Sequence, residues 1–310
     1  MVPHLTTALT GPLLELEKHF LDNATAIERW MRSQWQEHMP PFYGSTDLRN
    51  SGFKLAPVDL NLFPGGFNNL NDAFLPLCVQ AAQSAVERIC VGARSILLVP
   101  ENHTRNQFYL QNVAKLVSIL RLTGLEVRLG SLLPEITEPT VVELANGSSL
   151  TLEPLERHGS RLGLKDFNPC AVLLNNDLSA GVPEILRGLD EQFVLPPLHA
   201  GWATRRKSNH FAAYDEVAED FARLVGIDAW RINPYFSVCD QVNFHDRQGE
   251  DCLAANVDAV LTLIREKYAE LMADRTALEE QMKLGAVRAD KISRKTLTKA
   301  KKKVGLLLEK

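Results

Sequence analysis

No apolar run in this sequence approaches the roughly 18 to 20 residues that a membrane-spanning helix needs, so no membrane partner is expected. The first twenty residues have no basic leader and already contain Glu15 and Glu17, which does not fit a secretory signal. Cysteine is scarce. Five residues (Cys78, Cys90, Cys170, Cys239, Cys252) are an odd number without a C-x-x-C pair, a usage that predicts reduced, buried thiols and a cytoplasmic protein. The patterns G-x-G-x-x-G and G-x-x-x-x-G-K-[ST] are both missing, so neither a dinucleotide fingerprint nor a P-loop is present, and Gly65-Gly66 read as a sharp backbone turn. Residues 1–282 hold no internal repeat and no low-complexity linker.

What is present is enough for one large or two ordinary cores: 310 residues, 45% hydrophobic and 23% charged. The formal net charge of −4 argues against a molecule-wide basic surface for nucleic acid. That charge is unevenly spread. Residues 283–310 hold ten Lys or Arg against two Asp or Glu, leaving residues 1–282 with 24 basic and 36 acidic residues, a net of −12. The tail reads as a solvated, partly helical end or as an electrostatic contact for RNA, an acidic partner or an anionic surface.

Apolar spacing predicts helices over Leu13–Gln36, Leu70–Val91, Gln107–Leu122, Val182–Leu189 and 211–224, and a long one from Asp251. Strands are predicted over Phe53–Leu60, Ser95–Val99, Glu126–Gly130 and Ala171–Leu174. Val141–Ala145 and Ser149–Leu152 read as a hairpin through Asn146-Gly147. Strand, helix and strand with short connections imply a right-handed crossover, hence an α/β fold with an open, mainly parallel sheet flanked by helices. The expected division is an α/β substrate-binding domain over 1–196, a second region over 197–282 and the basic tail over 283–310.

Polar residues collect where the predicted strands end. Asp59 and Asn61 lead to Asn68 and Asn69; Val99 leads to Glu101, Asn102, His103, Thr104 and Arg105; Leu174 leads to Asn175, Asn176 and Asp177. Ligands of open α/β sheets bind outside the carboxyl ends of strands, so these loops would share one crevice. Taken singly, each also suits a helix cap or a turn. A second cluster, Trp202 to His210, sets Arg205, Arg206 and Lys207 side by side. It reads as an anion site, with a solvated basic loop as the alternative. A third, around Asn233 and Tyr235, could close a pocket over a small polar ligand or serve as a buried connection.

Val58-Asp59-Leu60-Asn61-Leu62-Phe63-Pro64-Gly65-Gly66-Phe67-Asn68-Asn69-Leu70 resembles the proteobacterial glutamate-cysteine ligase family. So do Pro100 to Asn106, Leu174 to Asp177 and Ile232 to Asp258, and the likeness covers roughly residues 10–270. The resemblance implies an ATP-grasp-like architecture and ATP-dependent ligation of the glutamate side-chain carboxylate to the cysteine amine. This is the first step of glutathione synthesis, with Mg2+ and an acyl phosphate. Glutamate would then need cations such as Arg105, Arg205 and Arg206 for its carboxylates, and Asp59 or Asp177 for its ammonium. The family's K-A-D-x-G-T-x-G nucleotide loop has only a chance echo at Val287-Arg288-Ala289-Asp290, so the nucleotide-binding portion is expected to be missing. Two other readings remain: a non-catalytic amino-acid-binding or regulatory protein on this scaffold, and an interaction protein acting through the tail. Metal ligands and oligomeric state are left open.

Overall fold

The computed structural model describes residues 12–103, 105–234, 236, 238 and 247–303. In chain order its elements are α1 (Pro12–Asp22), α2 (Ala24–Glu37), β1 (Ser45–Asn50), β2 (Leu55–Asn61), α3 (Leu75–Ile89), β3 (Ser95–Pro100), α4 (Gln107–Leu122), β4 (Glu126–Ser131), β5 (Thr140–Glu143) and β6 (Ser149–Pro154). There follow β7 (Glu156–His158), β8 (Arg161–Gly163), β9 (Ala171–Asn175), β10 (Phe193–Leu195), α5 (Lys207–Val225), α6 (Arg247–Ala273) and α7 (Arg275–Lys303). Short 3-10 turns stand between several of them.

The central sheet has the order β10-β9-β3-β4-β6-β5. All its pairings are parallel except β5 with β6, the hairpin expected from Asn146-Gly147. The fold is therefore α/β with a mixed, mostly parallel sheet flanked by helices. Strand β3 sits inside the sheet, and its run Ile96-Leu97-Leu98-Val99 is buried on both faces. Because side chains alternate along a strand, Ile96 and Leu98 join Val113, Leu116 and Leu120 of α4 in one core, whereas Leu97 and Val99 join Val172, Leu174, Leu162 and Phe167 in another. The first core lies under a helix. The second is closed by the β7–β8 hairpin and by irregular segments around Leu178, Leu186 and Leu189. Each fully buried Leu contributes about 1.5–3 kcal/mol of transfer free energy, so the paired β3 and β9 are the best-anchored part of the sheet.

A separate two-stranded antiparallel sheet, β1 with β2, carries Asp59 near its end. Beyond it α1 and α5 share a smaller core of Leu13, Leu16, Ala218, Ala222 and Ile232. The chain divides into two compact units, Met1–Phe236 and Ser237–Lys310. The second contains α6 and α7. On α6, Leu253, Val257, Leu261, Ile264 and Tyr268 are exposed. No helix is long and apolar enough to cross a membrane among the described residues.

Several expectations change. The helix expected from Leu70 starts at Leu75, because Phe67–Asn69 and Asp72–Phe74 wind as 3-10 turns and Pro76 suits only a first helical turn. The helix expected over Val182–Leu189 reduces to the 3-10 turn Glu184–Leu186. Pro183 precedes it and Gly188, with φ of 62°, ends the segment in a left-handed conformation. Five free thiols are also not what the structure holds. Cys90, just past α3, and Cys170, just before β9, form a disulfide with Cα atoms 6.7 Å apart, while Cys78 and Cys252 are free. Cys239 lies outside the described residues.

Candidate functional site

Strand β3 is the point where the sheet changes direction: the chain passes through α4 to β4 on one side, and β9 is laid down on the other. Residues leaving β3 and β9 at their carboxyl ends therefore face a common opening, the usual place for a ligand in an open α/β sheet. Pro100 is in register with Asn175, so the segments Glu101–His103 and Asn176–Asp177 leave side by side.

A network of buried polar groups fixes this opening. The Tyr109 hydroxyl, from the first turn of α4, donates to the Asn175 carbonyl at 2.8 Å, lies 3.0 Å from Asn175 Oδ1, and accepts the Glu101 N–H at 2.7 Å. Asn175 Nδ2 donates to the Pro64 carbonyl at 2.9 Å, which draws in the turn after β2. Asn176 Nδ2 donates to the Pro100 carbonyl at 3.2 Å, and its Oδ1 accepts the Leu178 N–H at 3.1 Å. Tyr43 donates to the Leu174 carbonyl. Burial pushes the Tyr43 and Tyr109 hydroxyls well above the usual tyrosine range, which keeps both protonated as donors.

The basic segment reaches the same opening. The Trp202 N–H donates to the Asp177 carbonyl at 2.7 Å. Gly201 permits this approach, since a Cβ there would stand 3.0 Å from Leu178 Cβ and 3.3 Å from the Asp177 carbonyl oxygen. Farther along, Lys207 Nζ stands 2.8 Å from one oxygen of Asp59, and Arg205 Nη2 stands 3.5 Å from the other. Burial raises the Asp59 pKa, but the hydrogen bond and charge of Lys207, the charge of Arg205 and the Leu60 N–H outweigh it, so the carboxyl is held below its usual range. Next to this triad, burial and the charge of Arg205 lower the pKa of His210; the Asp59 charge opposes them and that of Lys207 adds to them.

The expected site residues thus separate by role. Asn175 and Asn176 are buried, at 2% and 6% exposure, and their side chains are already bonded to backbone. Asn61 closes a local turn by accepting the Phe63 N–H at 2.9 Å. Asn102, His103, Arg105 and Arg206 are exposed, and neither arginine has an ion-pair partner among the described residues. Asp177 is half-buried, with Oδ1 accepting the Ser179 N–H at 2.9 Å. Asn68 instead lines a groove of about 670 Å³ beside α4, with Gln111, Lys115, Arg121 and Ser149, and Asn69 is exposed. Asn233 donates to Asp215, and its Oδ1 is buried without a partner among the described residues. Tyr235 lies outside the described residues. Tyr109, Glu101 and Lys207 are bonded into the same loops. Tyr109 escaped attention because it sits in a helical apolar stripe, where only its hydroxyl hinted at more.

The fold is α/β, and charged and polar loops meet at the switch point of its sheet, where open α/β sheets usually bind small molecules. The glutamate-cysteine ligase (GshA) family matches residues 17–277, and the chain belongs to that family. A crystal structure from Methylobacillus flagellatus KT, provisionally described as a gamma-glutamylcysteine synthetase, superposes with a TM-score of 0.79 at 66% sequence identity. The match covers 87% of this chain and 63% of that one, so this chain spans less than two thirds of that relative's length. Curated proteins yield no match.

Proposed function

We propose that the switch-point crevice binds glutamate, and that the chain serves the ATP-dependent joining of the glutamate side-chain carboxylate to the amine of cysteine. The observation that carries this reading is the combination of family membership with a crevice of both charge signs at the carboxyl ends of β3 and β9. Arg105 and Arg206, exposed and without ion pairs among the described residues, take the substrate carboxylates; the guanidinium fork suits that planar group. Asp177 is the better partner for the ammonium, because Asp59 is already engaged by Arg205 and Lys207. Arg205 and Asp59 therefore shape the loop from within, while Arg105, Arg206 and Asp177 meet the ligand.

The family's reaction uses ATP and magnesium to phosphorylate the carboxylate. Among the described residues no group of three or more His, Cys, Asp or Glu side chains stands together as a metal cluster; magnesium in such reactions is held mainly by substrate phosphates, water and one or two carboxylates, and no residue here is assigned to it. The role assigned to the crevice residues is binding and orienting the amino acid. The test is ADP release by the purified chain, run beside calorimetric titration with glutamate. Release that requires glutamate and cysteine supports ligation. Glutamate binding with no ATP effect selects an amino-acid-binding role instead, and no glutamate binding overturns the reading.

A further inference from the structure

Glu101 is the first residue after β3, and it is tied at both ends. Its N–H is held by the Tyr109 hydroxyl at 2.7 Å, and its carboxylate Oε1 accepts the Asp177 N–H at 2.5 Å. The Asp177 carbonyl in turn accepts the Trp202 N–H, and Trp202 begins the segment that carries Arg205 and Lys207 to Asp59. The Glu101 side chain thereby links the β3 end to the β9 end, and the Asp177 backbone, held by that bond, links the β9 end to the basic loop. Neighbouring Asn176 meets a similar structural need with a neutral amide, bonded to Pro100. A half-buried carboxylate beside another carboxylate is a costly way to accept one N–H, and such costs collect where function requires them.

We infer that Glu101 is a positioning residue for the amino-acid crevice, holding the β9 terminus and the basic loop in register through Asp177. This rests on the proposed glutamate site. An ionised acceptor makes a hydrogen bond roughly twice as strong as a neutral one, so the single bond to the Asp177 N–H is firmest when Glu101 is charged, against the burial that disfavours that charge. Two charged groups act on its charge, Asp177 at the end of β9 and His103 in its own loop, while the neutral Tyr109 hydroxyl from α4 holds its backbone N–H. Burial and the Asp177 charge raise its pKa, while the Asp177 N–H and His103 oppose them.

The test is calorimetric titration of glutamate into the full chain as wild type, Glu101→Ala and Glu101→Gln, across acidic to neutral pH. Glu101→Ala is expected to weaken binding about tenfold, and Glu101→Gln, whose amide oxygen can accept the same N–H, to recover most of it, within about threefold of wild type. The wild type should also lose affinity as pH falls through the raised range of Glu101, a component that Glu101→Gln lacks. Wild-type affinity in Glu101→Ala overturns the inference and leaves the glutamate site standing. So does a pH profile identical in wild type and Glu101→Gln. Absence of glutamate binding by the wild type overturns the glutamate site and the inference with it.

Discussion

The shelf at the ends of β3 and β9 and the rim of cations around it are made of polar residues in opposite circumstances. On the shelf, Asn175, Asn176 and the Tyr109 hydroxyl are turned inward, bonded to backbone carbonyls 66 to 111 residues away along the chain. On the rim, Arg105 and Arg206 are exposed and make no ion pair among the described residues. The same strand-end polarity thus has two uses. Buried groups fix the positions of the strand-end loops, because an unpaired polar atom there is expensive, and the exposed groups are the ones proposed to meet a ligand. Polar composition at a strand end marks a site without saying which of its residues touch the substrate.

Substitutions can break that comparison. The largest effect is expected from Asn175→Ala, which strands the Pro64 carbonyl and removes an acceptor from Tyr109. We expect a loss of about 2–4 kcal/mol in denaturant unfolding. Tyr109→Phe should cost about 1–3 kcal/mol by leaving the Glu101 N–H and the Asn175 carbonyl without that partner, and the melting temperature reads it.

Asp59→Asn should cost about 1 kcal/mol at neutral pH. The folded pKa of Asp59 is depressed, so its contribution is present above the unfolded value and is lost as pH falls through the folded one. Wild type and Asp59→Asn should therefore converge in stability at acid pH, which unfolding curves measured down the pH range would show. Glu101→Gln carries the opposite sign. The folded pKa of Glu101 is raised, so its relative contribution is present below the unfolded value and is lost as pH rises through the folded one. That variant should therefore lack the fall in stability that wild type shows as pH rises toward neutral, which paired unfolding curves across the pH range would show. The smallest stability effect belongs to the rim: Arg105→Ala or Arg206→Ala should stay within about 0.5 kcal/mol. Arg205 does not belong with these two, since its side chain is only 17% exposed and faces Asp59.

Much of the fold could be read from periodicity where one side of an element is buried. The stripe Tyr109, Val113, Leu116, Val117 and Leu120 predicted α4 over the residues it occupies, and the apolar runs of β3 and β9 predicted their burial. Strand β1 was not legible, because Ser45–Asn50 is exposed throughout and pairs only with β2. Strands β7, β8 and β10 are three residues each and leave too little pattern to read. At the site, the loops after β3 and β9 were visible as polar clusters, and the structure brings them together. The division between shelf and rim was not visible, because each inward bond of Asn175 depends on a partner that only the folded sheet supplies. The Cys90–Cys170 pairing, across 80 residues, was hidden for the same reason.

One titration tests the central claim most directly: calorimetry of glutamate against the wild-type chain and an Arg105→Ala, Arg206→Ala double variant at matched stability. The account predicts that the wild type binds and that the double variant binds at least about tenfold more weakly with its melting temperature unchanged. Equal affinity in the two proteins would contradict the assignment of the rim to the substrate.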